Sequence, residues 1–166
     1  MKKKYLLSIL SILLISCAGI LRKRHEGDAL KIKHSPNPSA IHKSEYFKKE
    51  PYPYMWFYKT EIKNSSNREL KIIWFESYFE FNESWYGLNV LNRPLRNDVF
   101  MKWYGNENDT FSTSEWLKPG EIRVCNLNWH GSSDPKGHRV KWSYIAIDRY
   151  GNDYYGEAII ESIPIE

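Results

Sequence analysis

The chain has 166 residues, 24 of them Lys or Arg and 20 Asp or Glu, for a formal net charge of +4. The positive charge is uneven: residues 18–50 hold eight basic and four acidic side chains, whereas residues 51–166 hold 13 and 16. The larger part is therefore mildly acidic with no basic stripe, which sets a nucleic-acid partner aside, and its length suits a single domain.

Lys2, Lys3 and Lys4 precede an apolar run from Tyr5 to Ile15. That order is the layout of a secretory leader, too short to remain as a membrane-spanning anchor. Leu14-Ile15-Ser16-Cys17 closes the run and resembles the lipobox of bacterial lipoproteins. The resemblance implies cleavage between Ser16 and Cys17, a diacylglycerol on the Cys17 sulfur and an acylated new amine, so the partner it names is a lipid bilayer. An ordinary cleaved signal with an incidental cysteine, or an uncleaved signal anchor, is the alternative. Two or three acyl chains hold a protein stably, because each buried methylene contributes about 0.8 kcal/mol and one chain alone is marginal. The resemblance ends at Cys17. Ala18 is not the aspartate that resembles an inner-membrane retention signal, so the expected location is the cell envelope, with the outer membrane favoured in a Gram-negative host.

Residues 17–50 read as the lipidated cysteine and a flexible tether. Arg22-Lys23-Arg24 would lie close to an anionic leaflet, where each basic side chain is worth about 1 kcal/mol, or would serve as solvated linker charges. Ser35-Pro36-Asn37-Pro38-Ser39 and Lys48-Lys49-Glu50-Pro51-Tyr52-Pro53 hold prolines that favour extended, unpaired backbone. Ala29 to His34 is a candidate edge strand; disorder is expected elsewhere in the tether.

From residue 51 onward aromatic and β-branched residues dominate, the types that fit a pleated, half-buried surface. Tyr54, Trp56, Tyr58, Thr60 and Ile62 alternate with more polar positions, and Asn64-Ser65-Ser66-Asn67 marks a turn. Leu70 to Phe81 reads as a long strand with a bulge or bend near Trp74-Phe75. Further strands are expected at Tyr86 to Leu91, Val99 to Tyr104, Glu121 to Trp129, Val140 to Asp148 and Tyr154 to Ile163, with Val140, Trp142, Tyr144 and Ala146 on the buried face of their strand. A hairpin at Arg149-Tyr150-Gly151-Asn152 joins the last two, and Ser112 to Leu117 could form at most a helical turn. About seven short strands without helices or repeats predict an all-β fold, an antiparallel two-sheet sandwich of immunoglobulin-like kind, with a barrel as the alternative. Lys118-Pro119-Gly120-Glu121 resembles the loop-to-strand turn of many immunoglobulin-like bacterial modules, which implies fold and no activity. With Cys17 lipidated, Cys125 is left without a disulfide partner and is expected to be a buried strand residue.

No Gly-x-Ser-x-Gly elbow, His-Glu-x-x-His, Cys-x-x-Cys or glycine-rich phosphate loop is present. The chain is therefore read as a non-enzyme with no catalytic residue, no metal and no cofactor. Glu76 and Glu80 share a strand face but would stand about 13 Å apart by rise, too far for a glycosidase pair; with Glu83 they read as edge charges. Trp129 to His138 is the one polar stretch that gathers His130, His138 and Asp134 beside an aromatic ring, and it could bind a polar ligand or a metal, or simply be a hairpin loop. Trp85, Trp103, Trp116 and Trp129 fall at strand ends or turns, where flat rings could stack on sugars or anchor a protein. Two functions follow. One is a non-catalytic envelope lipoprotein whose sandwich binds another protein in an assembly, accessory or inhibitory role. The other is a carbohydrate- or peptidoglycan-binding surface domain, with a hydrolase as its lesser variant. A coplanar row of exposed rings would favour the second; a flat apolar patch or open edge strand would favour the first.

Overall fold

The computed structural model describes residues 24–26, 29–43, 53–88, 91, 93, 95–105 and 114–164. Ser16 and Cys17, with the cleavage and lipidation expected there, lie outside these residues. In chain order the elements are β1 (Arg24–Glu26), β2 (Leu30–Ser35), β3 (Ile41–Lys43), β4 (Tyr54–Asn64), β5 (Lys71–Phe81), β6 (Ser84–Gly87), β7 (Leu95–Arg96), α1 (Asn97–Trp103), β8 (Ile122–Ser132), β9 (Arg139–Ile147) and β10 (Asp153–Glu161).

These strands build the two-sheet sandwich. One sheet runs β1-β10-β9-β5-β6, with β7 also against β5; in the other, β4 is flanked by β2 and β3 on one side and β8 on the other. Strand pairs are antiparallel except that of β1, which runs parallel to β10. Period-2 alternation decides what is buried: Trp56, Tyr58, Thr60 and Ile62 of β4 and Val140, Trp142, Tyr144 and Ala146 of β9 all face inward. Phe75 of β5 lies at the centre, stacked on Tyr144 at 5.6 Å and on Trp142 at 6.2 Å. The β5 bulge expected from the shift in buried parity falls between Ile72 and Trp74. Cys125 is buried, and desolvation pushes its thiol up to about 11.

The turn after β9 is organised by Asp148. Its carboxylate accepts from the backbone N–H of Tyr150 at 2.8 Å, from the backbone N–H and the Nδ2 of Asn152 at 2.9 and 2.8 Å, and from the Tyr154 hydroxyl at 3.2 Å. Burial opposes ionisation here, yet these donors outweigh it and hold the carboxyl at about 2. Gly151 takes the positive φ of 83° that closes the reversal.

Three expectations need correction. Val99 to Tyr104, expected as a strand, forms the helix α1 through Trp103, with Tyr104 as its C-cap: Phe100 and the capping Tyr104 are buried four residues apart, Asp98 sits in the first turn and Lys102 in the last. A run this short satisfies both periods, so alternation alone could not separate them.

The segment expected as tether is partly built into the sandwich. Leu30 is 4% exposed, and Gly156 of β10 passes so close that an added Cβ would stand 2.7 Å from Leu30 Cβ and O. Ser39 is fully buried as well, so the folded unit starts well before residue 51.

Glu76 and Glu80 do not guard an edge, because β5 lies between β9 and β6. Glu80 has both oxygens 3.0 Å from Arg139 Nη1, and Glu76 accepts from the Tyr78 hydroxyl. Glu83 lies in the β5–β6 turn, where it and Asn82 have φ of 61° and 49°.

Candidate functional site

β8 pairs with β4 through a bulge, two residues (Asn126 and Leu127) standing opposite Lys59 between the pairs Thr60–Cys125 and Tyr58–Asn128. The bulge keeps Cys125 and Asn128 inward and turns Leu127 out, 68% exposed, beside Trp129 at 44%. Leu127, Trp129, Leu91, Trp103, Val124 and Trp142 line a groove of about 480 Å³, with Asn128 and Lys102 among its polar groups. From Leu127 onward β8 has β4 on one side and, among the described residues, no strand on the other. The groove is thus an apolar cleft between the α1 end of one sheet and the outer edge of the other.

A second constellation lies inside the sandwich. His130, on the inward face of β8 and 4% exposed, stacks on Trp56 at 5.2 Å. His138 approaches from the start of β9, 4.9 Å from the His130 ring and 4.5 Å from Trp56. His34 of β2 meets Tyr58 edge-on at 5.3 Å. His130 Nδ1 lies 3.3 Å from the Tyr58 hydroxyl, which accepts from Trp142 Nε1 at 2.7 Å; its Nε2 lies 2.9 Å from Ser162 Oγ. His34 Nδ1 lies 3.0 Å from Thr60 Oγ1, which accepts from Asn128 Nδ2 at 2.9 Å. Burial disfavours the charged imidazolium, lowering His34 to about 4 and His130 to about 3, and lowering His138 as well. Among the described residues no three His, Cys, Asp or Glu side chains converge to hold a metal ion.

The predicted candidates are thereby sorted. Trp103 and Trp129 meet in the groove. His130 and His138 meet too: β8 runs on through Ser132 and carries His130 into the sheet, and His138 reaches it from the half-buried end of the loop before β9. Asp134 is exposed, accepting from the Lys136 backbone N–H at 2.9 Å, and is turn chemistry. Trp85 lies under Lys141 at 4.8 Å and Arg139 at 5.7 Å, and Trp116 lies under Arg149 at 3.9 Å, so both are capped by cations of their own. Reasoning from sequence missed His34, Leu91, Lys102 and Leu127. Leu127 carried the one usable signal, an apolar residue at a polar parity within the strand, but a bulge that no turn residue announces disguises it.

The fold and the groove define the class: a two-sheet β-sandwich with an apolar cleft along one edge strand. No protein-family model matches the chain, and no curated protein matches it. Among solved structures it is similar to a Bordetella pertussis protein carrying the provisional designation ApaA, with a TM-score of 0.49 and 12% identity over 82% of this chain and 95% of that one. It is also similar to a structural-genomics target designated SoR45, with a TM-score of 0.50 and 7% identity over 81% of this chain and 86% of that one. The second likeness is one of fold alone.

Proposed function

We propose that the chain is a lipid-anchored protein of the bacterial cell envelope whose sandwich binds another protein and catalyses no reaction. The anchor half of this reading rests on the resemblance of Leu14-Ile15-Ser16-Cys17 to a lipobox. The binding half rests on one observation, the Leu127–Trp129 groove along the outer edge of β8. Exposed leucine and tryptophan beside a strand edge suit a protein segment, which offers apolar side chains together with backbone hydrogen-bonding groups. A sugar platform needs several flat rings presented together. Of the seven tryptophans only Trp129 is exposed, and the other exposed rings, Phe81, Tyr86 and Tyr150, do not line its groove.

Placing a photo-crosslinkable residue at Leu127 in the intact lipidated protein tests the reading. A defined protein adduct that disappears when Trp129→Asp is added supports it. Adducts to glycan alone, or a protein adduct indifferent to Trp129→Asp, would overturn it.

A further inference from the structure

One end of the sandwich is closed by a seam between residues 37–39 and the end of β10. Asn37 Nδ2 donates to the Ile159 carbonyl at 2.9 Å and Asn37 Oδ1 accepts from Glu161 N–H at 3.0 Å. Ser39 N–H donates to the Glu161 carbonyl at 2.8 Å, and the Ser39 carbonyl accepts from Ile163 N–H at 3.0 Å. Ser39 Oγ also donates to the Phe57 carbonyl at 2.9 Å, tying the seam to β4. Directly behind it lie the rings of His130, His138 and Trp56: Ser162 touches His130 through its hydroxyl and donates its N–H to the His138 carbonyl at 2.9 Å, and Trp56 Nε1 donates to the Ile163 carbonyl at 3.3 Å.

The hydrogen-bond partners of these rings are hydroxyls and a backbone carbonyl, all uncharged. Trp142 Nε1 can only donate, so the Tyr58 oxygen accepts from it, and His130 Nδ1 meets the same hydroxyl. With Ser162 Oγ at Nε2, a neutral His130 has a hydroxyl at each nitrogen whichever of the two carries its proton. Thr60 Oγ1 accepts from Asn128 Nδ2 and meets His34 Nδ1, while His34 Nε2 is buried with no hydrogen-bond partner among the described residues. His138 Nδ1 donates to the Lys136 carbonyl at 3.1 Å, and its Nε2 is buried among rings with no hydrogen-bond partner. Of the three rings, only His130 has a partner at both nitrogens. A second proton on His130 would make it a donor at both nitrogens, toward hydroxyls that carry no charge to offset its own.

The surroundings offer little to stabilise added positive charge. His130 faces His138 and His34, both of the same sign when protonated, and the Tyr58 hydroxyl, which burial keeps neutral. Cys125, also held neutral by burial, faces Tyr58. Only His138 has a carboxylate to hand, Asp134, and opens onto a cleft that also holds Glu80, Glu83, Glu161, Lys136 and Arg139. The seam lies against these rings, joined to them through Ser162 and Ile163.

We propose that this seam is an acid-opened gate, in which proton uptake by His130 and His138 parts residues 37–39 from Glu161–Ile163 while the two sheets stay folded. Pro36, Asn37, Pro38 and Ala40 are already exposed, so opening disrupts a few hydrogen bonds and leaves the packing of Phe75, Trp142 and Tyr144 untouched. Opened, the end of the sandwich presents Trp56 and two imidazolium rings, a surface the closed state hides.

Amide hydrogen exchange of the full chain, followed by NMR as protection factors from pH 7 to 5, tests the gate. For each histidine kept neutral in the closed state, the opening constant rises by up to about tenfold per pH unit below its ordinary value near 6.5. The amides of Ser39, Ser162 and Ile163 are expected to lose at least about tenfold in protection between pH 6.5 and 5, while those of Tyr144 and Ala146 do not change. His138→Gln and His130→Gln should each flatten that dependence; if His130→Gln does not fold, the wild type and His138→Gln suffice. Seam protection that is constant with pH, or lost only in step with Tyr144 and Ala146, would overturn the proposal.

Discussion

Trp142 shows how one residue joins packing to polarity. It is 2% exposed, stacks against Phe75 and donates to Tyr58, so Trp142→Ala both opens a cavity and leaves the Tyr58 oxygen without its donor. Such a change should cost about 3 to 5 kcal/mol in a urea denaturation series. A loss within about 0.5 kcal/mol, the range of harmless surface changes, would mean that the Trp142 ring is exposed. Glycines test the backbone in two ways. Gly151→Val must hold a β-branched side chain at φ 83°, and should cost on the order of 1 kcal/mol or more from strain alone. Gly156→Ala is sterically harder, because its methyl would press on the Leu30 backbone oxygen at 2.7 Å; about 1 to 3 kcal/mol is expected as β2 is pushed off β10. Equal stability of the Gly156→Ala protein would mean that β2 does not pack there.

At the scale of elements the main finding is that β2 and the residues after it belong to the sandwich. β2 pairs with β4 over Leu30–Ser35, its Leu30 joins the hydrophobic core and its His34 completes the buried network through Thr60. Starting the chain at residue 51 removes all of this and bares one side of β4. That fragment should show no cooperative thermal transition at the temperature where residues 18–166 still give a β-type circular dichroism spectrum and a single transition. Equal melting of the two fragments would show that β2 and the seam add nothing. The edge strand at Ala29 to His34 is legible from its alternation of Leu30, Ile32 and His34 with Lys31 and Lys33. Ser39 is not, because a serine next to a proline carries no mark of burial; only the arrival of Glu161 and Ile163 puts it inside. α1 escapes the pattern for a related reason, since seven residues hold too few turns for a 3.6 period to show.

For the whole molecule, the buried histidines set the acid side of the stability curve. His34, His130 and His138 have their pKa values lowered in the folded state, so above the ordinary imidazole value of about 6.5 they take nothing from stability. As the pH falls below that, the unfolded chain binds protons the folded chain refuses, and stability drops by up to about 1.4 kcal/mol per pH unit for each such ring. The decline continues to about pH 4 for His34 and about 3 for His130. Asp148 acts in a lower window: its contribution is complete above the ordinary carboxyl value and fades only as the pH falls toward 2. Urea midpoints measured from pH 7 to 4.5 should therefore fall, and a flat profile would show that the imidazoles are solvated in the folded protein. At the chain's other end, mass spectrometry of the mature N-terminus decides the lipobox reading, with diacylglycerol and acyl groups expected on Cys17 and none after Cys17→Ser.

What the sequence determined by itself is whatever depends on neighbours along the chain. The period-2 pattern in Tyr54–Asn64 and Arg139–Ile147 dictates strands with Trp56, Tyr58, Trp142 and Tyr144 inward, the Asp148-Arg149-Tyr150-Gly151-Asn152 run dictates a tight reversal, and the placement of Cys125 on a hydrophobic strand dictates its burial. What only the tertiary structure decided is what depends on sheet order and on which faces meet. Trp103 and Trp129 share a groove because the end of α1 reaches β8, and His34, His130 and His138 share an interior because β2 and β8 flank β4 while β9 faces them from the other sheet. The partners that close the seam, such as Trp56 and Ile163, are 107 positions apart. Local propensity has no term for such a distance; only the packing of one sheet on the other brings these residues into contact.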